Sequence, residues 1–438
     1  DADQDLPTLP NTAGGGLNGD IYRVSVSGGS YEVGDVLIFN EVSDSYDHIP
    51  VKAVTQDSLE QGGLKIYDWY VKPDYVGTVF NGSAHTPFLT LDDAISASSD
   101  GDSIFLDGIN TITSEIILPH GLHIIGSTGS KVKYGTYDVS NGNVFNYNGA
   151  YTHQFVFENL TIENAGGYGI LAKKALVFEI RRCKFFYNGW DGTNLNTVAD
   201  SVTSGVLGYD STSADLQAFY AGTHASNGGA VRIQECPSPL IRESRAQYNL
   251  RGFRVQDCGI GGGGFIIENQ SIMNIESGIY LAAGSQGGCQ NITTTINYSA
   301  YNANNGLLAI GGINNKFSQN EVYGNWNAGF CGWGAANLTL RDSGLYDNNR
   351  STYNGIGNTG DAKASIQLND AYSFIATQLA YNPDFRFIAE ILDTQVHYTG
   401  VGSNTEKVGF LMTSGMGNIP DNDKNIIKID DVGFIGQD

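Results

Sequence analysis

The 438-residue chain carries 24 Lys and Arg against 46 Asp and Glu, a formal net charge of −22, and a field of that sign opposes nucleic acid or an anionic membrane as a general partner. Its 57 glycines, 24 tyrosines and 16% charged residues favour strands and turns over long helices. Five widely spaced cysteines (Cys183, Cys236, Cys258, Cys289, Cys331) without a C-x-x-C pair argue against a disulfide framework or a zinc site and read as buried thiols.

In chain order, residues 1–70 read as an arm followed by a small β module. The arm is DADQDLPTLP, and GDIYRVSVSGGSYEVGDVLIFN alternates apolar and polar residues around a Gly28-Gly29 turn. Residues 71–102 form an entry segment. Leu91, Ala94 and Ile95 there have helical spacing behind Thr90 as N-cap, and a short helix suits the open end of a strand array, which otherwise exposes its first apolar layer. No apolar run reaches the roughly 18–20 residues that span a bilayer, and the N-terminus lacks signal-peptide regions. The chain opens on Asp1 rather than Met, which leaves room for a leader or a preceding domain.

Residues 103–400 repeat. Gly252, Gly278, Gly306 and Gly329 recur at similar intervals, and Asn274, Asn302 and Asn325 each stand shortly before one of the last three. Short alternating strands at that period predict an all-β fold, a right-handed parallel β-helix, whose rungs stack at ~4.8 Å. Asn at one turn position is expected to tolerate left-handed backbone and to bond the Asn of the next rung. The sequons at Asn159, Asn269, Asn291, Asn297 and Asn337 are then turn chemistry rather than glycan acceptors. The pattern lapses over 189–227, a long insertion holding Trp190, Tyr209, Tyr220 and His224, whose aromatic faces suit sugar contact. A flap that only packs over the coil is the plain alternative. Residues 401–438 read as irregular terminal rungs.

Val231–Cys236 (VRIQEC) and Phe253–Cys258 (FRVQDC) are one hexapeptide written twice. On successive rungs Arg232 stands over Arg254, Gln234 over Gln256 and Glu235 over Asp257, with the Val and Ile side chains inward. Arginines one rung apart repel by about 3 kcal/mol at an effective dielectric of 20. Either neighbouring carboxylates offset that or an anionic sugar does. Ile162-Glu163-Asn164 and Ile267-Glu268-Asn269 read as a second ladder, with Glu243 on the rung before Glu268. Paired carboxylates suit glycoside hydrolysis, because crowded like charges separate their pKa values. Rung spacing permits both the retaining and the inverting separation. The candidate catalytic residues are Glu235, Asp257, Glu243 and Glu268. The candidate substrate-binding residues are Arg232, Arg254, Arg245, Tyr280, Trp190, Tyr209, Tyr220 and His224.

The stretch YVGTVFNGSAHTPFLTLDDAISAS with GDSIFLDG, then ILPHGLHIIGS and the rungs after it, resembles the pectate-lyase-like β-helix superfamily, and within it bacteriophage tailspikes and tail fibres. The likeness covers about residues 70–400 and implies a homotrimer in the virion tail. Such a protein would contact other tail or baseplate proteins and bind a bacterial surface polysaccharide, capsule or lipopolysaccharide, without nucleic acid or membrane insertion. Depolymerisation is expected with it, and the paired carboxylates favour a hydrolase over a lyase. No metal or other cofactor is expected, apart from Ca²⁺ if the protein were a lyase. A non-catalytic adhesin or structural spike, and a secreted extracellular lyase or epimerase, are the competing readings.

Overall fold

The computed structural model describes residues 21–23, 36–40, 45–49, 67–190, 227–302, 304–325, 328–333, 338–346, 364–369, 388–398, 408–413 and 426–436. Ile21–Arg23, Val36–Asn40 and Ser45–Ile49 form a small antiparallel sheet, Ile21 facing Ile38 and Val36 facing Ile49. The expected Gly28-Gly29 turn lies outside the described residues.

From Trp69 onward the described strands form the three long sheets of the expected right-handed parallel β-helix. Face 1 runs from Trp69–Val71 to Ile426–Asp430 and has twelve described strands; face 2 runs from Ile109–Ile112 to Gly433–Gly436 with eleven; face 3 runs from Ile116–Ile117 to Val408–Thr413 with ten. From Ser103–Leu106 onward the chain visits the faces in the order 1, 2, 3, so each strand pairs with the strand three places later in sequence, whereas Trp69–Val71 pairs directly with Ser103–Leu106. The strands Val408–Thr413, Ile426–Asp430 and Gly433–Gly436 continue the three faces in register. The helix Leu91–Ala97 buries Leu91, Ala94 and Ile95, and Thr90 Oγ1 accepts from Asp93 N at 3.1 Å.

Alternation along each strand sends one set of side chains inward. Phe145, Phe155, Phe157 and Phe178 are fully buried, with ring centroids 4.9–5.5 Å apart from one pair to the next. Between faces the chain turns through one residue of positive φ. Apart from glycines, after face 1 these are Asn159, Arg182, Glu243, Glu268, Ile296, Gln319, Asp342, Asp393 and Asp431; after face 2, Asn164, Tyr187, Tyr248, Met273 and Tyr301; after face 3, Lys174, Glu235 and Asp257. The next residue then turns inward; at the 2–3 corner that column is mostly asparagine, and at the 1–2 corner it holds a run of three. At the 2–3 corner Asn188, Asn249, Asn274, Asn302 and Asn325 bond from side chain to side chain at 2.9–3.2 Å. At the 1–2 corner Asn269, Asn297 and Asn320 do the same at 3.0–3.1 Å.

The asparagine ladder expected from sequence therefore exists, but the reason given for it needs correcting. The left-handed residue is the one before each Asn, and Asn is chosen because its Oδ1 accepts the buried corner N–H one rung back while its Nδ2 donates to the Asn one rung on. Asn269 and Asn297 are 1% and 2% exposed, which closes both sequons to a glycan; Asn337 lies outside the described residues. The recurrent glycines have a different cause. A Cβ on Gly278 would stand 2.2 Å from Ser299 Oγ and 2.9 Å from the Gly306 carbonyl, so the position needs hydrogen because the next rung is too close.

Two further expectations are overturned by the register. Glu163 belongs to face 2, where it pairs with Phe186, whereas Glu268 stands at the corner after face 1, so the two Ile-Glu-Asn triplets are not one ladder. Trp190 is fully buried and so offers no indole face to a sugar. Among the described residues no helix is long and apolar enough to cross a membrane.

Candidate functional site

The two hexapeptides do stack. Arg232 pairs with Arg254 and Gln234 with Gln256 on face 3, and the next strand places Tyr280 beside Arg254. Cys236 and Cys258 turn inward together, Cys236 N donating to Cys258 Sγ at 3.2 Å. Burial pushes the thiols of Cys183, Cys236 and Cys289 up to about 12.

The four candidate carboxylates do not share a site. Glu235 and Asp257 are corner residues after face 3, while Glu243 and Glu268 are corner residues after face 1. Glu235 and Asp257 are 7% and 1% exposed. Glu235 accepts from Gln234 Nε2 at 3.0 Å and Tyr151 Oη at 3.3 Å, with Lys173 Nζ at 3.7 Å and Lys174 Nζ at 3.9 Å. Asp257 Oδ1 accepts the backbone amides of Gly284 and Gly288, each at 2.8 Å, and so ties down the chain after face 3. Both line a cavity of about 220 Å³ with Tyr151, Ile260 and Gln286. These bonds engage Glu235 and Asp257 Oδ1 in holding the corner, while Asp257 Oδ2 is buried without a hydrogen-bond partner.

Glu243 and Glu268 are exposed, and they line a larger groove of about 540 Å³ at the 1–2 corner. The groove has two parallel columns. The corner column is Arg182, Glu243, Glu268; two residues further along each coil, the first column of face 2 is Lys184, Arg245, Gln270. Glu243 N donates to the Ile267 carbonyl at 3.1 Å, which fixes Glu243 and Glu268 one rung apart. A rung of ~4.8 Å lies close to the ~5–5.5 Å carboxyl separation of retaining glycoside hydrolysis. Among the described residues neither Lys184 nor Arg245 has a carboxylate within 4 Å, whereas Arg182 is paired with the buried Glu158. The groove thus offers two acids and two uncompensated cations on one rigid corner. Register, not composition, brings Arg182, Lys184 and Gln270 into it, and the signal for them was their offset of two residues along successive coils.

The arginines gathered around the insertion fall into two classes. Arg181 and Arg182 share Glu158, Arg242 reaches Glu179 at 3.2 Å, and Arg251 grips Glu276 with Nε and Nη2 at 2.5 and 2.6 Å. Arg232, Arg245 and Arg254 have no acid partner among the described residues. Arg245 belongs to the groove, not to the Arg232–Arg254 pair with which it was grouped. Tyr209, Tyr220 and His224 lie outside the described residues. No group of three or more His, Cys, Asp or Glu side chains converges as cation ligands among the described residues.

No protein-family profile matches the sequence, and no curated protein matches it significantly. Among solved structures the chain is similar to the A-module of the Azotobacter vinelandii mannuronan C-5 epimerase AlgE6, at 12% identity over 78% of this chain and 92% of that one, with a TM-score of 0.43. It is similar to pectate lyase Pel9A at 12% identity over 77% of each chain, with a TM-score of 0.41. It is also similar to the Dettilon tailspike protein at 15% identity over 78% of this chain and 68% of that one, with a TM-score of 0.44. The strand register is what establishes the parallel β-helix.

Proposed function

We propose that the protein is a tailspike or tail-fibre receptor-binding protein of a bacteriophage that holds an acidic bacterial surface polysaccharide against its β-helix and cleaves it at the 1–2 corner. The observation that carries the chemistry is the groove itself, with Glu243 and Glu268 one rung apart beside Lys184 and Arg245. In this reading one carboxyl protonates the glycosidic oxygen and the other attacks the anomeric carbon or activates water, while Arg245 and Lys184 orient the acidic substituent. Assignment to a phage tail, and a homotrimeric state with other tail proteins as partners, come from the sequence resemblance and belong to the same proposal.

Incubation with purified capsule or lipopolysaccharide, followed by mass analysis of soluble products, tests it. Defined oligosaccharides are expected, without the ultraviolet absorbance of an unsaturated sugar. An unsaturated product would replace hydrolysis by elimination, and absence of product with binding retained would leave a non-catalytic adhesin.

A further inference from the structure

Arg232 and Arg254 sit on face 3, across the prism from the groove, and their environment is unusual for two stacked cations. Both guanidinium groups converge on one neutral acceptor: Arg232 Nη2 and Arg254 Nη2 donate to Gln256 Oε1 at 2.8 and 3.1 Å. Arg254 Nη1 also donates to the Tyr168 hydroxyl at 3.5 Å, and that hydroxyl donates to Asn227 Oδ1 at 3.1 Å. The Arg254 guanidinium lies 5.2 Å from the centroid of the Tyr280 ring on the next rung. Both arginines are half-buried, and the Nε of each is buried without a hydrogen-bond partner. Their neighbour Arg251 is neutralised by Glu276, so the local positive excess belongs to Arg232 and Arg254. Burial first and Arg254 second hold the Arg232 guanidinium below its usual range.

A glutamate at position 256 would cancel one of the two charges of this pair with no change in side-chain length. The chain places an amide there instead, whose oxygen orders both forks without cancelling their charge. Among the described residues no carboxylate lies within 4 Å of either arginine. Two planar forks and a flanking aromatic ring suit a carboxylate carried on a ring-shaped molecule, since the forks bind carboxylate oxygens in parallel and the ring packs on the apolar sugar face.

We propose that Arg232, Arg254 and Tyr280 form a second, non-catalytic site that takes the carboxylate of a sugar acid, with Gln256 ordering the two arginines. The proposal rests on the polysaccharide reading only for the source of the sugar acid. A chain anchored on face 3 stays tethered after the groove has cut it.

The test is titration calorimetry at constant ionic strength with trigalacturonate as probe, in the Glu243→Gln/Glu268→Gln protein so that no cleavage intervenes. Maltotriose and inorganic sulfate serve as neutral and non-sugar arms. Trigalacturonate is expected to bind, maltotriose is not, and sulfate is expected to bind at least tenfold more weakly. Arg254→Gln should weaken trigalacturonate binding at least tenfold. Gln256→Glu should do the same and raise the unfolding temperature by a few degrees, so its loss of binding cannot be misfolding. Binding unchanged in Gln256→Glu and Arg254→Gln, sulfate binding as tight as trigalacturonate, or no binding of trigalacturonate to the parent overturns the proposal. Polysaccharide cleavage is read separately and does not depend on this outcome.

Discussion

Replacing Asn302 by alanine removes the centre of the ladder at the 2–3 corner. Asn302 is fully buried, and its Oδ1 accepts from Asn274 N at 3.1 Å and Asn274 Nδ2 at 2.9 Å. Its Nδ2 donates to Asn325 Oδ1 at 2.9 Å and to the Ser271 carbonyl and Ser299 Oγ, each at 3.2 Å. Asn274 Nδ2 keeps the Ala246 carbonyl and Ser271 Oγ, so the one donor left wholly without a partner is the Asn274 amide. Losing three to four net bonds of ~1 kcal/mol, one of them leaving a buried amide orphaned, gives about 3–4 kcal/mol. In a solenoid that loss is local, because each coil contacts only its neighbours. Hydrogen exchange should therefore show amide protection over residues 271–302 falling by about two to three orders of magnitude, since each 1.4 kcal/mol is tenfold. Protection over residues 69–163 should be unchanged. Protection that is unaltered over 271–302, or lowered evenly along the chain, would refute the ladder as the element that locks the coils.

Ile296 is a β-branched residue at φ 56°, 49% exposed, in a column where Asn159 takes the same conformation. Ile296→Asn should stabilise the protein by about 1 kcal/mol by relieving left-handed strain, and a lower denaturation midpoint would count against that. With Cys183, Cys236 and Cys289 held protonated up to about 12, iodoacetamide at pH 8 should leave all five thiols unmodified in the folded protein and alkylate them after unfolding; alkylation of native Cys236 would contradict the burial assigned to it. The Lys72 ammonium, 2.9 Å away, holds the Asp107 carboxyl below the usual carboxylate range. A lowered folded pKa stabilises above the unfolded value and is lost as pH falls through the folded one. Exchange of the Trp69–Val71 amides should thus quicken below the ordinary carboxylate range, and Lys72→Met should remove that acid response; an identical response in both proteins would sink the assignment.

Much of the fold could be read from residues because the coils repeat. The spacing of Gly252, Gly278, Gly306 and Gly329 and the Thr90-capped helix each report a local necessity that survives without tertiary information. The corner conformation was harder to read. Tyr187, Tyr248, Met273 and Tyr301 carry positive φ although none of those residue types announces it, since the ladder amide after each one compensates the strain. The site was legible only in part for a related reason. Sequence pairs residues along a column, so Arg232 with Arg254 and Glu243 with Glu268 were found. It does not say which face a column is on, and that is why Arg245 was grouped with Arg232 and why Glu163 was set beside Glu268. Burial of Glu235 and Asp257 depended on Lys173, Lys174 and the amides of Gly284 and Gly288, contacts from earlier and later coils that no hexapeptide contains.

The central claim is that the paired acids of the 1–2 corner cleave a polysaccharide that the β-helix binds. The most direct measurement is oligosaccharide release by Glu243→Gln and Glu268→Gln proteins, set beside retention of the same polysaccharide on immobilised protein. Each single amide is predicted to lower release by at least 100-fold, the scale of a general acid or base, with retention unchanged. Release at the parental rate from the double amide would contradict the account and move the chemistry away from this groove.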